Sequence, residues 1–285
     1  MSNSRLFTKT SSQGEDRSVI LTVTHLGFSN STTIGCFDAL RSGLATSSRL
    51  VIPGPWSRGA GSSYRGDDVG IDLVVSSEHP IFVMAPITYS PSLVAGHGGF
   101  AGSYEDFWEH ADIDETKREV RAQIERSIIW GFDLSHIACW NDAMIGRPEF
   151  FDILVDLALE FKLPLKITKE QCEAKLGFPA YALAVDAGVT VIDHSIDLWS
   201  GSWARIANPE EALEEAASQL VEGVNEISFR VAPDTRELRA LMSDWPRYVS
   251  FHGVINRVTQ IRSMFDKLGI RIIGYRELRD NCRPH

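Results

Sequence analysis

The sequence predicts an α/β fold, a (β/α) barrel-like sheet of the incomplete or distorted TIM type, and three observations carry that prediction. Apolar, β-rich runs alternate with segments of helical apolar spacing to give about seven strands, the pattern of a parallel sheet with right-handed crossovers. The first run, Val19-Ile-Leu-Thr-Val23, is nearly continuous, as a strand covered on both faces must be. It then stops at a polar pair, Thr24-His25, and turns through Gly27. Chemistry in such folds collects at strand ends, where loops present side chains into a crevice held by the sheet. An open doubly wound sheet shares the alternation; the barrel is the reading adopted.

The elements follow in order. Residues 1–16 are rich in Ser, Thr, Gln and Asn without an apolar face and read as a flexible tail. Residues 17–285 read as one domain. After Val19–Val23, Thr32–Ser42 carries a helical pattern, and Leu50–Ile52 and Gly70–Val75 are short strands. The stretch from Gly54 to Ser63 is too glycine-rich for a long helix. Pro86–Ala111 has no sustained period and reads as a long functional loop. Asp112–Gly131 is a helix that Asp114 can cap and Gly131 stops. Leu134–Cys139 reads as a strand, Pro148–Phe161 as a helix opened by proline, and Leu163–Ile167 and Val189–Ile192 as strands. Pro209–Val221 is a helix capped by Asn208, Asn225–Val231 a strand, Arg247–Leu268 helical and Ile270–Tyr275 the last strand, before a short helix through Arg279.

Composition bounds the function. Of 285 residues, 44% are hydrophobic and 23% charged, which excludes wholesale disorder. The net charge of −10 argues against a partner bound through a phosphate backbone, so no nucleic acid is expected. No apolar run approaches the roughly 20 residues that span a bilayer, and the N-terminus lacks an apolar signal core, so the expected location is cytoplasmic, off the membrane. Cys36, Cys139, Cys172 and Cys282 lie far apart without C-x-x-C spacing, and reduced, packed thiols are expected. The expected partners are a small-molecule substrate or ligand and, in a homo-oligomer, a second copy of the chain.

Several segments together resemble the YdjC-like carbohydrate deacetylases, over nearly the whole chain from Arg17. They are the strand-turn Val19–Ser29 followed by Gly35–Ser47, then Asp68-Val-Gly-Ile-Asp72-Leu-Val-Val-Ser-Ser-Glu78, then Leu134-Ser-His136-Ile with Arg147-Pro-Glu-Phe-Phe151. Leu163-Pro-Leu-Lys166, Ile192-Asp193-His194, Asn225-Glu226-Ile and Asp234-Thr-Arg-Glu-Leu238 continue the match in the same order. The resemblance implies a polysaccharide-deacetylase-like barrel. It also implies hydrolysis of an acetamido group by a divalent metal held by one Asp and two His, with a neighbouring Asp as base.

This chain departs from that pattern at the centre. Thr24-His25 stand where the family has an Asp-Asp pair, and Asp72 where it has its first ligand histidine. Trp140 stands where its second ligand histidine belongs, and Arg230 near a late histidine. The exchange of His25 and Asp72 is reciprocal, so an imidazole and a carboxylate are expected to meet at neighbouring strand ends, where they can share a metal, although two protein ligands hold a divalent ion weakly.

The candidate catalytic residues are therefore His25, Asp72 and Arg230, with His25 and Asp72 also the candidate metal ligands. Thr24, Trp140, Asp142 and Trp56 are candidates for substrate binding. Four of them have a plainer alternative: a hydrogen-bonded core histidine for His25, a surface ion pair for Arg230, core filling for Trp140 and a loop or cap residue for Asp142. Cys139 beside Trp140 has no activating partner in sequence. His79 and His97 read as loop residues and His194 as structural. The expected function is that of a divergent carbohydrate-deacetylase-like hydrolase acting on an amide, or a related C–N or ester bond, of a small polar substrate, neutral or anionic. The alternative is a catalytically inactive relative that binds a sugar-like or anionic ligand or a partner protein.

Overall fold

A computed structural model of the protein describes residues 17–282; the segment expected to be a tail lies outside the described residues. Seven parallel strands form one sheet: β1 (Arg17–Leu26), β2 (Ser47–Leu50), β3 (Val69–Leu73), β4 (Leu134–Cys139), β5 (His194–Asp197), β6 (Gly223–Phe229) and β7 (Ile270–Ile273). Their order is β4-β3-β2-β1-β6-β5, with β7 against β1. β1 is central because it is the longest and most apolar strand. One of its edges pairs with β6 from Arg17↔Gly223 to Val23↔Phe229. The other is shared, by β7 at Arg17–Ile20 and by β2 from Thr22 onward.

The sheet curls and nearly closes. Beyond β4, a bridge joins Ile137 to Leu165, and the Leu165 N–H donates to Thr190 O. The Asp193 N–H then donates to Val224 O beside β5. Leu163–Ile167 thus makes a bridge rather than a full strand, and Val189–Ile192 is extended lead-in to β5, which starts at His194. The barrel is incomplete on this side.

Alternation along β1 sorts its side chains, since successive residues of a strand point to opposite faces. Val19, Leu21 and Val23 join the large core under the helices. Ile20 packs with Ile192, Ile273, Tyr275 and Leu278 in a smaller cluster, so the helix Tyr275–Cys282 plugs one end of the barrel. Above this plug the interior turns polar. Thr22 Oγ1 (2.8 Å) and Tyr275 OH (3.1 Å) both donate to Glu226 Oε1, and His136 stacks on Tyr275 with centroids 3.6 Å apart.

Several local expectations shift. Asp112, not Asp114, caps the helix Ile113–Ile129, because its side chain accepts from the Glu115 N–H. Ser29 caps the helix Asn30–Ser42, with Thr32 reciprocating. Short helices at Ser57–Ser63 and Tyr104–His110 interrupt stretches read as loops. The span read as one helix to Leu268 is two, Trp245–Gly253 and Val258–Lys267, separated by a 3-10 turn. Among the described residues no helix is long and apolar enough to cross a membrane.

Candidate active site

At its last residues β1 delivers Thr24 and His25 to the open end of the barrel. His25 adopts a left-handed backbone, φ 75°, before Gly27 at φ 85° completes the turn. Gly27 has no freedom to become larger, since a Cβ there would lie 2.9 Å from Ser57 Cα. His25 is buried, and its Nδ1 shares a 2.9 Å hydrogen bond with Thr24 Oγ1. Its ring lies 4.9 Å from that of Trp140 and 5.3 Å from that of Phe28. Burial, and then the cations Arg230 and Arg49 and the ring of His79, hold the imidazole well below its ordinary 6.5, so it is neutral at neutral pH.

Two cavities meet at this residue. The inner one, about 240 Å3, is bounded by Thr24, Arg49, Asp72, Asp142, Lys166 and Asp197. The outer one, about 400 Å3, is bounded by Phe28, His79, Ile81, Met242 and Tyr248. His25, Trp140, Asn141 and Arg230 line both. The inner cavity is thus charged, the outer one more aromatic and apolar although Glu78, Arg239 and Asp244 also border it, and the histidine stands where they join.

Asp72, on β3, is buried and faces the inner cavity, but its partner is not His25. Its Oδ1 lies 3.9 Å from Arg49 Nη1, and no hydrogen bond or ion pair joins it to His25. Burial pushes its carboxyl above the ordinary 3.8, while Arg49 and Lys166 draw it down. Arg49, on β2, also approaches Glu226 Oε2 at 3.8 Å. Burial works against its charge, yet Glu226 and Asp72 outweigh that and its pKa is raised.

Arg230 follows β6. Its Nη1 donates to Tyr248 OH at 3.5 Å and its guanidinium stands 5.7 Å from the Trp199 ring. It has no carboxylate within ion-pair distance among the described residues, so the surface ion pair weighed for it does not form. Trp140 is held by a 3.2 Å hydrogen bond from its Nε1 to Glu78, which also accepts from Asn141. Asp142, at φ 53°, accepts from Gln171 and lies 3.7 Å from Lys166 Nζ.

Trp56 is not brought to the site. It is exposed at the start of the helix Ser57–Ser63, its ring lying over Gly59, and it borders neither cavity. Burial pushes the Cys139 thiol up, which makes it a poor nucleophile. His79 does reach the outer cavity, held there by Leu241 O at 3.0 Å. Arg49 and Lys166 were not expected at the centre; the signal for Arg49 was a lone cation inside the short strand Ser47–Leu50.

The donor set does not fit the metal that the family pattern implies. Among the described residues no group of three His, Cys, Asp or Glu side chains converges to hold an ion. The carboxylate expected to serve as ligand is instead apposed to a guanidinium, and a cation beside Arg49 would meet repulsion.

A curled parallel sheet with flanking helices and a charged pocket at its strand ends defines a barrel-like α/β protein. The chain belongs to the YdjC-like protein family, which matches residues 18–265. A carbohydrate deacetylase of Thermus thermophilus is 33% identical over 166 residues, 58% of each chain. Another from Brevibacillus brevis is 28% identical over 52% of this chain and 58% of its own. The matches thus span less than two thirds of either relative. In fold, the protein resembles an Enterococcus faecalis V583 protein named for cellobiose-phosphate cleavage. That likeness has a TM-score of 0.77 at 20% identity and covers 92% of this chain and 99% of the other.

Proposed function

We propose that the protein is a deacetylase-type hydrolase with a rebuilt centre, acting on an amide, or a related C–N or ester bond, of a small polar, anionic substrate. The observation that carries this reading is the buried His25, fixed by Thr24 where two cavities join and flanked by Arg230. In the tautomer with its proton on Nδ1, the ring donates to Thr24 Oγ1 and leaves Nε2 free to act as a base. Nε2 takes a proton from the attacking water as oxygen bonds to the carbonyl carbon. The Arg230 guanidinium meets the developing oxyanion. The C–N or C–O bond then breaks, and His25 returns the proton to the leaving nitrogen or oxygen. Asp72 contributes indirectly, by holding Arg49 in the inner wall.

The test is release of acetate from N- and O-acetylated sugars by the purified protein, with and without chelator. Turnover is expected to fall by roughly 100-fold or more in His25→Ala, the scale of a lost general base. Arg230→Gln is expected to lower kcat more than it raises KM. A second reading, a non-catalytic protein that binds an anionic sugar-like ligand, is favoured by the lack of a converging metal-ligand set among the described residues. Saturable ligand binding that His25→Ala abolishes, with no turnover by the parent, would establish that reading instead.

A further inference from the structure

Among the described residues, two cations of the inner cavity donate no side-chain hydrogen bond. Arg49 and Lys166 are each more than nine-tenths buried, and both line the cavity. Among the described residues their side chains make no hydrogen bond; each has only ion pairs, at 3.9 and 3.8 Å for Arg49 and 3.7 Å for Lys166. Charge-assisted hydrogen bonds close to about 2.8 Å, so these contacts neutralise charge and leave the donors uncommitted. Arg49 Nε, Asp72 Oδ1 and Glu226 Oε2, in the wall behind these cations, are fully buried without a hydrogen-bond partner. A cation that lines a cavity without a hydrogen bond of its own can take a guest that accepts one.

We propose that the inner cavity binds a compact oxyanion, a carboxylate or a phosphate, through Arg49 and Lys166. The guanidinium fork presents paired N–H groups to two oxygens of such a group, and the ammonium supplies a third direction. Asp72, Asp142 and Asp197 lie on the same walls and set the selectivity. Asp72 and Asp142 already face the two cations, so the guest must accept hydrogen bonds and be small. A cavity of about 240 Å3 admits the anionic group and leaves the remainder of the molecule for the outer cavity of about 400 Å3. His25 at the junction then faces the bond between the two parts. The inference rests on reading this cavity as the substrate site, and it narrows the substrate to molecules whose anion lies one short reach from the bond to be cut.

Calorimetric titration of the full chain with inorganic phosphate and with acetate, against sodium chloride of equal ionic strength, tests it without requiring turnover. Saturable one-to-one binding of at least one oxyanion is expected, weakened about tenfold or more in Lys166→Met and in Arg49→Lys, the scale of one lost charge-assisted hydrogen bond. Tighter phosphate binding would mark a phosphate ester as the substrate's anion, and tighter acetate binding a carboxylate. No binding beyond that of chloride, or binding that neither variant weakens, overturns the inference. Should Arg49→Lys fail to fold, Lys166→Met decides alone. A chain that binds the anion yet hydrolyses nothing keeps this inference and overturns the hydrolase; turnover without anion binding does the reverse.

Discussion

His25 holds a backbone conformation that L-residues avoid, at a cost of roughly 1–2 kcal/mol. The turn survives because Thr24 fixes the ring and Phe28 and Trp140 pack around it. Its neutrality depends on neighbours, and that dependence is measurable. NMR titration of the His25 ring is expected to give a pKa well below 6.5, moving upward in Arg230→Gln, because removing a nearby cation relieves the charged form. An unchanged value in the variant would remove Arg230 from the site's electrostatics. The polar strand end made His25 and Thr24 legible in the sequence, and the family pattern did the same for Asp72, Trp140 and Arg230. Arg49, Lys166 and Glu226 gave no comparable signal. One charge in a short strand acquires its role only when curling of the sheet brings it against other charges, and periodicity carries no trace of that closure.

Packing of β3 against β4 depends on the absence of a side chain. A Cβ on Gly70 would lie 2.2 Å from His136 Nδ1, and the ring cannot retreat because Tyr275 stacks on its face. Gly70→Ala is expected to lower unfolding stability by about 1–3 kcal/mol in urea denaturation, the range for overpacked interiors. A loss below a few tenths would show that the ring moves freely. At this scale the sequence was most readable where apolar runs are long: β1, β4 and β6 fall where their runs predict. β5 was displaced because His194-Ser-Ile-Asp197 is mixed in polarity, with Ser195 and Asp197 turned to the cavity. Helices as short as Tyr104–His110 span too few turns to set up a period, so the loop around them read as irregular.

Across the whole molecule, the buried histidines make stability depend on pH. His25 and His136 both have folded pKa values well below the ordinary 6.5, each chiefly through burial. The unfolded chain therefore binds more protons below 6.5. The stability these neutral rings contribute is full above that value and is lost as pH falls toward their folded pKa values, by roughly 1 kcal/mol per pH unit for each. Asp72 and Asp68, raised by burial, act in the opposite sense. Their contribution is present below 3.8 and lost as pH rises through their folded values, so it offsets part of the decline. Urea midpoints are expected to fall between pH 7 and pH 5, and less steeply in His136→Gln. A flat profile would mean that the rings titrate in the folded protein as they do in water.

The shared edge of β1 bears on how the chain reaches this state. Arg17–Ile20 pairs with Ile270–Ile273, far away in sequence, so that edge of β1 stays unpaired until β7 has been made. Contacts so distant in sequence slow folding, and a bare strand edge invites pairing with other chains. The strand that carries His25 is therefore also one that keeps a bare edge until β7 closes on it.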